Sequence, residues 1–97
     1  MAITKQYLKS KPICKVTFTV PAEDAKKVAV IGSFNQWDEN ATILKKLKNG
    51  TFKGTLNLEK DNSYEFRYLI DGAYVNDEQA DAYAKNEFAS ENGVLTV

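Results

Sequence analysis

One stretch, YEFRYLIDGAYV at residues 64–75, carries the strongest information about the fold of this sequence. Aromatic or aliphatic side chains occupy every even position from residue 64 to 70, and a period of two places alternate side chains on opposite faces of a β-strand. Asp71-Gly72 follows, and this dipeptide suits the positive φ angles of a tight hairpin turn. The pattern therefore predicts a strand with one buried face, a hairpin turn and a returning strand over residues 73–75.

Comparable strand patterns occur on both sides of this stretch. Residues 14–20 alternate and end at Pro21, which cannot donate to a ladder, and residues 52–58 also alternate. Residues 28–31 are continuously apolar, which is typical of a central strand covered on both faces, and residues 94–97 form a strand-like tail.

The remaining connections give weaker signals. Residues 43–47 are predicted as an edge strand, and Asn49-Gly50 beyond them is predicted to form a type I′ hairpin turn. Residues 76–93 contain no sustained apolar stripe and are predicted to be mostly loop.

These short, evenly spaced strands, together with two hairpin signals and the lack of a long amphipathic helix, predict an all-β fold. We expect an immunoglobulin-like β-sandwich of about seven to eight short antiparallel strands. A chain of 97 residues is the length of one domain. We assign residues 13–97 to the sandwich and residues 1–12 to an N-terminal arm that is loosely held.

Composition excludes several classes of partner. The 13 basic and 13 acidic residues are interspersed and give zero net charge, so no basic surface for nucleic acid is predicted. No apolar run approaches the ~20 residues of a membrane helix, and the N-terminus has no signal-peptide pattern. A single cysteine, Cys14, cannot form an internal disulfide, which favours a reducing compartment. We therefore expect a cytoplasmic protein without a membrane or nucleic-acid partner.

Catalytic chemistry has little support in the sequence. The chain has no histidine, which removes the usual general base and the commonest metal ligand. The acidic residues at 77, 78, 81, 87 and 91 match neither a calcium loop nor a glycosidase pair in a deep cleft, and they are interpreted as a solvated face. Gly32 stands outside any glycine-rich phosphate loop. The sequence predicts a non-enzymatic protein with no catalytic residue, metal or cofactor.

Three motifs resemble family 48 of the carbohydrate-binding modules. Residues 28–37, VAVIGSFNQW, resemble its strand followed by Gly-Ser/Asp-Phe-Asn-x-Trp, and residues 64–74 resemble its Tyr-x-Phe/Tyr-Lys/Arg-Phe-x-Val/Ile-Asp-Gly-x-Trp hairpin. Residues 92–97 resemble its closing Asn-x-Val/Ile-Val/Ile-x-Val strand. The family includes the glycogen-binding domain of the AMP-activated protein kinase β subunit and the N-terminal domains of isoamylase and branching enzymes.

The resemblance implies an immunoglobulin-like sandwich that binds an α-1,4-linked glucan or maltooligosaccharide, such as glycogen or starch, and it suggests association with a glucan-metabolising enzyme, a glycoside hydrolase or a branching enzyme. Flat aromatic rings suit the apolar faces of glucose, and planar polar groups suit its hydroxyl edges. Carried over from the family, the aromatic platform is Trp37 and Tyr74, and the polar contacts are Arg67 and Asn92. The sugar-contacting loop corresponds to Phe88 and Ser90.

Two departures from the family leave alternatives open. Tyr74 stands where kinase-type members have a larger Trp, and the loop over residues 87–91 lacks the usual glycines. Arg67 could instead pair with Glu65 or Asp71 as an ordinary surface residue. The alternative function is a protein-interaction or regulatory β-sandwich with a degenerate sugar site and contacts along an exposed sheet edge.

Overall fold

A computed structural model describes residues 1–86 and 90–97, and strands dominate that part of the chain. Its one helical element is a 3-10 turn, Ser33–Asn35, and none of the described residues forms a helix long and apolar enough to cross a membrane. The strands are Ala2–Tyr7 (β1), Ile13–Pro21 (β2), Val28–Gly32 (β3), Lys45–Lys46 (β4), Thr51–Glu59 (β5), Ser63–Ile70 (β6), Ala73–Val75 (β7), Ala82–Lys85 (β8) and Glu91–Thr96 (β9).

These strands form two antiparallel sheets. The first has the order β1-β2-β5-β4, and the second has the order β3-β6-β9-β8. The short strand β7 pairs with the C-terminal part of β6, beyond the part of β6 that pairs with β9. The all-β sandwich predicted from the sequence is confirmed.

The core lies between the two sheets and explains the alternation in the sequence. In β2 every second residue from Cys14 to Val20 is completely buried, as are Phe66 and Tyr68 of β6. The Phe18 ring lies 5.8 Å from Phe66 and 6.2 Å from Tyr68, measured between ring centroids. Burying each of these aromatic side chains contributes about 1.5–3 kcal/mol relative to exposure. Because Phe66 and Tyr68 point inward, Glu65 and Arg67 point to the opposite face of the five-stranded sheet.

Strand β1 lies inside the segment that the sequence assigned to an N-terminal arm. Its residues pair with β2 from Ala2, opposite Thr19, to Tyr7, opposite Cys14. Ile3 also packs against the core and Lys5 is half-buried, while the other residues of β1 are exposed. A strand with so few inward apolar residues gives a weak signal in the sequence, and the backbone of β2 supplies its pairing.

Strand β8 lies within residues 76–93, which were predicted to be mostly loop and for which no strand was predicted. It pairs with β9 from Ala82, opposite Val94, to Lys85, opposite Glu91. The continuously apolar β3 is buried along its whole length, as predicted, but it is not a central strand, because it lies at the end of its sheet. Its outer edge is covered by residues 42–44, which hydrogen-bond to the backbone of Val28 and Val30.

Both predicted hairpins form, since β4 pairs with β5 and β6 pairs with β7, but only the second has a type I′ turn. Asp71 and Gly72 have φ angles of 47° and 87°, so both adopt the positive φ that a type I′ turn requires. At Asn49-Gly50 only Gly50 has a positive φ, and its N–H donates to the Leu47 carbonyl. The type I′ prediction is wrong there, since a type I turn followed by a left-handed glycine fits these angles. The predicted edge strand over residues 43–47 is reduced to β4.

Candidate functional site

The outer face of the five-stranded sheet carries an open groove with a volume of about 790 Å³. It is referred to below as the outer groove. Strands β3, β6, β7, β8 and β9 and the loop after β3 contribute its walls. The described residues that line it are Ile31, Trp37, Glu65, Arg67, Tyr74, Lys85, Asn86 and Asn92.

The pairing register of β6 with β3 and β7 places the residues in the middle of the groove next to each other. Arg67 lies opposite Ile31 of β3, and Tyr74 of β7 lies opposite Leu69, two residues farther along β6. Residues at positions i and i+2 of a strand share a face, so Arg67 and the Leu69–Tyr74 pair lie on the same outer surface. The guanidinium carbon of Arg67 is 5.4 Å from the centroid of the Tyr74 ring, within the range of a cation–π contact.

The 3-10 turn after β3 positions Trp37. The Asn35 side chain accepts a hydrogen bond from the Gly32 N–H at 3.0 Å and donates to the Val30 carbonyl at 3.0 Å. Gln36 and Trp37 then adopt positive φ angles of 56° and 58°, and the Trp37 N–H donates to the Gly32 carbonyl at 2.9 Å. This turn leaves Trp37 38% exposed, so it lies on the surface of the groove rather than in the core.

Arg67 does not form the surface ion pairs that the sequence left open. In the part of the chain that the structure describes, no carboxylate lies within ion-pair distance of Arg67. The Asp71 carboxylate instead accepts hydrogen bonds from the backbone N–H groups of Lys26 and Lys27. The Nε of Arg67 is buried and has no hydrogen-bond partner there. The guanidinium therefore stacks on Tyr74 and donates no hydrogen bond to any residue that the structure describes.

Asn92 lies at the polar end of the outer groove and is only 8% exposed. Its Nδ2 donates to Glu65 Oε1 at 3.2 Å, and its Oδ1 accepts from Asn86 Nδ2 at 3.2 Å. Asn86 also pairs with Ser90 through two hydrogen bonds that involve the Ser90 backbone. Ser90 therefore lies beside the groove without lining it, while Phe88 lies outside the described residues.

The family model for carbohydrate-binding module 48, the isoamylase N-terminal domain, matches residues 6–84 of the 97-residue chain. The chain belongs to this family. The family predicted from the three sequence motifs is thus confirmed, and membership implies that this carbohydrate-binding module binds carbohydrate. The match includes Trp37, Arg67 and Tyr74 and ends before Ser90 and Asn92. A search of curated proteins found no match.

Sequence reasoning missed four of the residues that line the groove of this carbohydrate-binding module. Glu65 shares the outward face of β6 with Arg67, and this two-residue spacing was the signal that could have identified it. Ile31 was interpreted only as part of a buried strand. Lys85 is the last residue of β8 and Asn86 follows it. The sequence did not predict this strand, so no pattern pointed to either residue.

The groove of this module contains charged groups of both signs. Arg67 and Lys85 are cationic, and Glu65 is the one carboxylate among the described lining residues. No group of three His, Cys, Asp or Glu side chains in the described ranges could hold a metal ion. The arrangement suits a neutral, hydroxyl-rich ligand, because it offers aromatic surface, hydrogen-bond donors and one acceptor side by side.

Proposed function

We propose that this carbohydrate-binding module binds an α-1,4-linked glucan in the outer groove without catalysing a reaction. Trp37 and Tyr74 stack on the apolar faces of glucose rings, and Arg67 donates hydrogen bonds to hydroxyl oxygens. One observation carries the proposal: two exposed aromatic rings from different elements lie in the same open groove as an arginine that donates no hydrogen bond to the described residues.

The chemistry of an α-glucan fits these residues. A glucose ring has apolar C–H faces and a rim of hydroxyl groups, so stacking and edge hydrogen bonds are made at the same time. The preference for an α-1,4-linked chain over other carbohydrates rests on the resemblance of the Trp37 and Tyr74 motifs to glycogen- and starch-binding members of the family.

The carboxylate content of the groove supports a binding role. Glycoside hydrolysis generally needs two carboxyl groups on either side of the scissile bond. Among the described residues that line the groove, Glu65 is the one carboxylate, and Asn92 donates a hydrogen bond to it. We therefore assign no catalytic residue to the groove.

Affinity electrophoresis tests the proposed function. The wild-type protein is run through native gels containing glycogen, amylopectin or a β-glucan, and we expect only the two α-glucans to retard it. Trp37→Ala removes an aromatic anchor worth ~2 kcal/mol or more, so the dissociation constant should rise by about thirtyfold. Circular dichroism must show that the variant is folded.

Tyr7→Ala is the matched control, because Tyr7 is also an exposed aromatic residue but lies on β1 of the other sheet. Its mobility in α-glucan gels should equal that of the wild type. Unchanged affinity of Trp37→Ala would contradict the assigned site. If no polymer retards the wild type, the alternative protein-interaction function takes precedence.

A further inference from the structure

Glu65 lies in the outer groove, and most of the acceptor positions of its carboxylate are not used by the described residues. Its carboxylate accepts one hydrogen bond from Asn92, and it makes no ion pair within the described ranges. An ionised carboxylate has about four acceptor positions on its two oxygens. The side chain is half-buried on the wall of the groove, so the remaining positions are available to a ligand there.

Asn92 is more deeply buried than Glu65 and is less accessible to a ligand. Its amide nitrogen donates to Glu65, its amide oxygen accepts from Asn86, and the residue is more than nine-tenths buried. One amide N–H and one acceptor position of the amide oxygen remain, but only the small exposed part of the side chain can present them to a sugar hydroxyl. Because Asn92 is itself held by Asn86 and donates to Glu65, it is placed to fix the orientation of the Glu65 carboxylate.

Glu65 and Arg67 complement each other along β6. Residues i and i+2 of a strand lie about 6.6 Å apart, so the two side chains rise from neighbouring points on the same face. Glu65 offers only acceptors, and Arg67 offers only donors. Neighbouring hydroxyls on one sugar ring each carry a donor and an acceptor, so a hydroxyl pair can donate to Glu65 and accept from Arg67.

We propose that Glu65 is the acceptor group of the sugar site, receiving hydrogen bonds from glucose hydroxyls, and that Asn92 is a positioning residue that orients its carboxylate. The inference deepens the proposed function and rests on it. It changes the role assigned to Asn92 by resemblance, from direct sugar contact to support of Glu65.

Binding of maltoheptaose, followed by NMR chemical-shift titration, provides the first test. Glu65→Gln keeps the shape of the side chain and removes its charge, and Glu65→Ala removes the acceptor. Both should weaken binding by about tenfold or more, as expected for a hydrogen bond to a charged group. Glu59→Gln, on β5 of the other sheet, is the matched control and should bind like the wild type.

A double-mutant cycle tests the positioning role of Asn92. Asn92→Ala should weaken binding in the wild-type background but add almost no further loss to Glu65→Ala, because residues that act through one another are non-additive. Maltosides that each lack one hydroxyl provide an independent readout. At least one of them should bind the wild type more weakly than the intact sugar, and Glu65→Ala should lose this discrimination.

The outcomes separate the two proposals. Wild-type affinity in both Glu65 variants would overturn the inference and leave the proposed function standing. Equal losses from Asn92→Ala in both backgrounds would overturn the positioning role, because Asn92 would then contact the sugar itself. Absence of binding by the wild type would overturn the proposed function and the inference together.

Discussion

The exposure of Trp37 depends on a glycine five residues earlier. A Cβ atom on Gly32 would lie 2.5 Å from the carbonyl oxygen of Glu65 and 2.8 Å from the Phe34 ring. Gly32 is extended, with a φ of −175°, a conformation open to any residue. Glycine is therefore required here because a side chain would not fit. The glycine of the motif lets the chain pass close to β6 and begin the turn that presents Trp37.

Gly32→Ala should therefore destabilise the protein and weaken the proposed glucan binding together. The backbone carbonyl of Glu65 cannot rotate away as a flexible side chain could, so strand β3 or the turn must shift. Overpacking of this kind costs about 1–3 kcal/mol. Urea unfolding measures the loss of stability, and affinity electrophoresis under folding conditions measures the effect on Trp37. Wild-type behaviour in both experiments would contradict the packing argument.

Single residues show how far the sequence could predict the site. Trp37, Arg67 and Tyr74 were identified from motifs, and the structure brings all three into one groove. Glu65 was weighed only as an ion-pair partner of Arg67, because pattern reasoning does not show which side chains remain unpaired. Asn92 was identified, but its burial and its two hydrogen bonds depend on where β9 lies beside β6, which the sequence does not specify.

The connection between β7 and β8 is anchored by a buried carboxylate. Asp77 is completely buried, accepts a hydrogen bond from the Tyr68 hydroxyl at 2.7 Å and accepts another from the Gln79 N–H at 2.7 Å. Burial, followed by the hydrogen bond to Asp77 and the charge of that carboxylate, raises the pKa of Tyr68 well above its usual range. Tyr68 therefore stays protonated and keeps donating to Asp77.

Tyr68→Phe should destabilise the protein by about 1–3 kcal/mol, because a buried charged acceptor loses one of its donors. Urea unfolding followed by circular dichroism provides the measurement. Tyr64→Phe is the matched control, since its hydroxyl donates to the Glu59 carbonyl at an exposed site, and it should cost less. Equal losses in the two variants would contradict a special role for the buried Tyr68–Asp77 pair.

Elements differ in how well the sequence predicts them. Strands β2 and β6 were predicted because every second side chain of each is buried in the core or packs against it. Strands β1 and β8 lie at sheet edges, where partly exposed side chains weaken the alternation and a neighbouring strand supplies the pairing. Strand β8 brings Lys85 to the groove and leads directly into Asn86, so the missed strand accounts for two of the missed residues.

At the scale of the whole molecule, an ion pair between Lys5 and Asp81 links the two sheets. Lys5 Nζ of β1 donates to Asp81 Oδ2 at 2.7 Å, and the same oxygen accepts the Thr96 N–H of β9 at 2.8 Å. Burial by itself raises the pKa of Asp81, but the hydrogen bonds from Lys5 and Thr96 and the charge of Lys5 outweigh it. The net effect is a pKa of Asp81 below its usual value.

This lowered pKa gives the stability contributed by Asp81 a defined dependence on pH. A carboxylate whose pKa is lower in the folded state stabilises the fold above the unfolded-state pKa and loses that contribution as pH falls through the folded-state value. At pH 7 the wild type should be more stable than Asp81→Asn, by about 1 kcal/mol or less because the pair is partly exposed. The difference should shrink below pH 3.8, the ordinary pKa of the group.

Thermal unfolding of the wild type and Asp81→Asn between pH 7 and pH 2 measures this difference. Lys5→Met provides the second background, in which Asp81 keeps only the Thr96 hydrogen bond, so Asp81→Asn should cost less at pH 7 and its effect should change less with pH. A stability difference that stays constant down to pH 2 would show that the Asp81 charge does not contribute to joining the sheets. Neither Lys5 nor Asp81 lines the outer groove, so glucan binding at pH 7 should be the same in all four proteins.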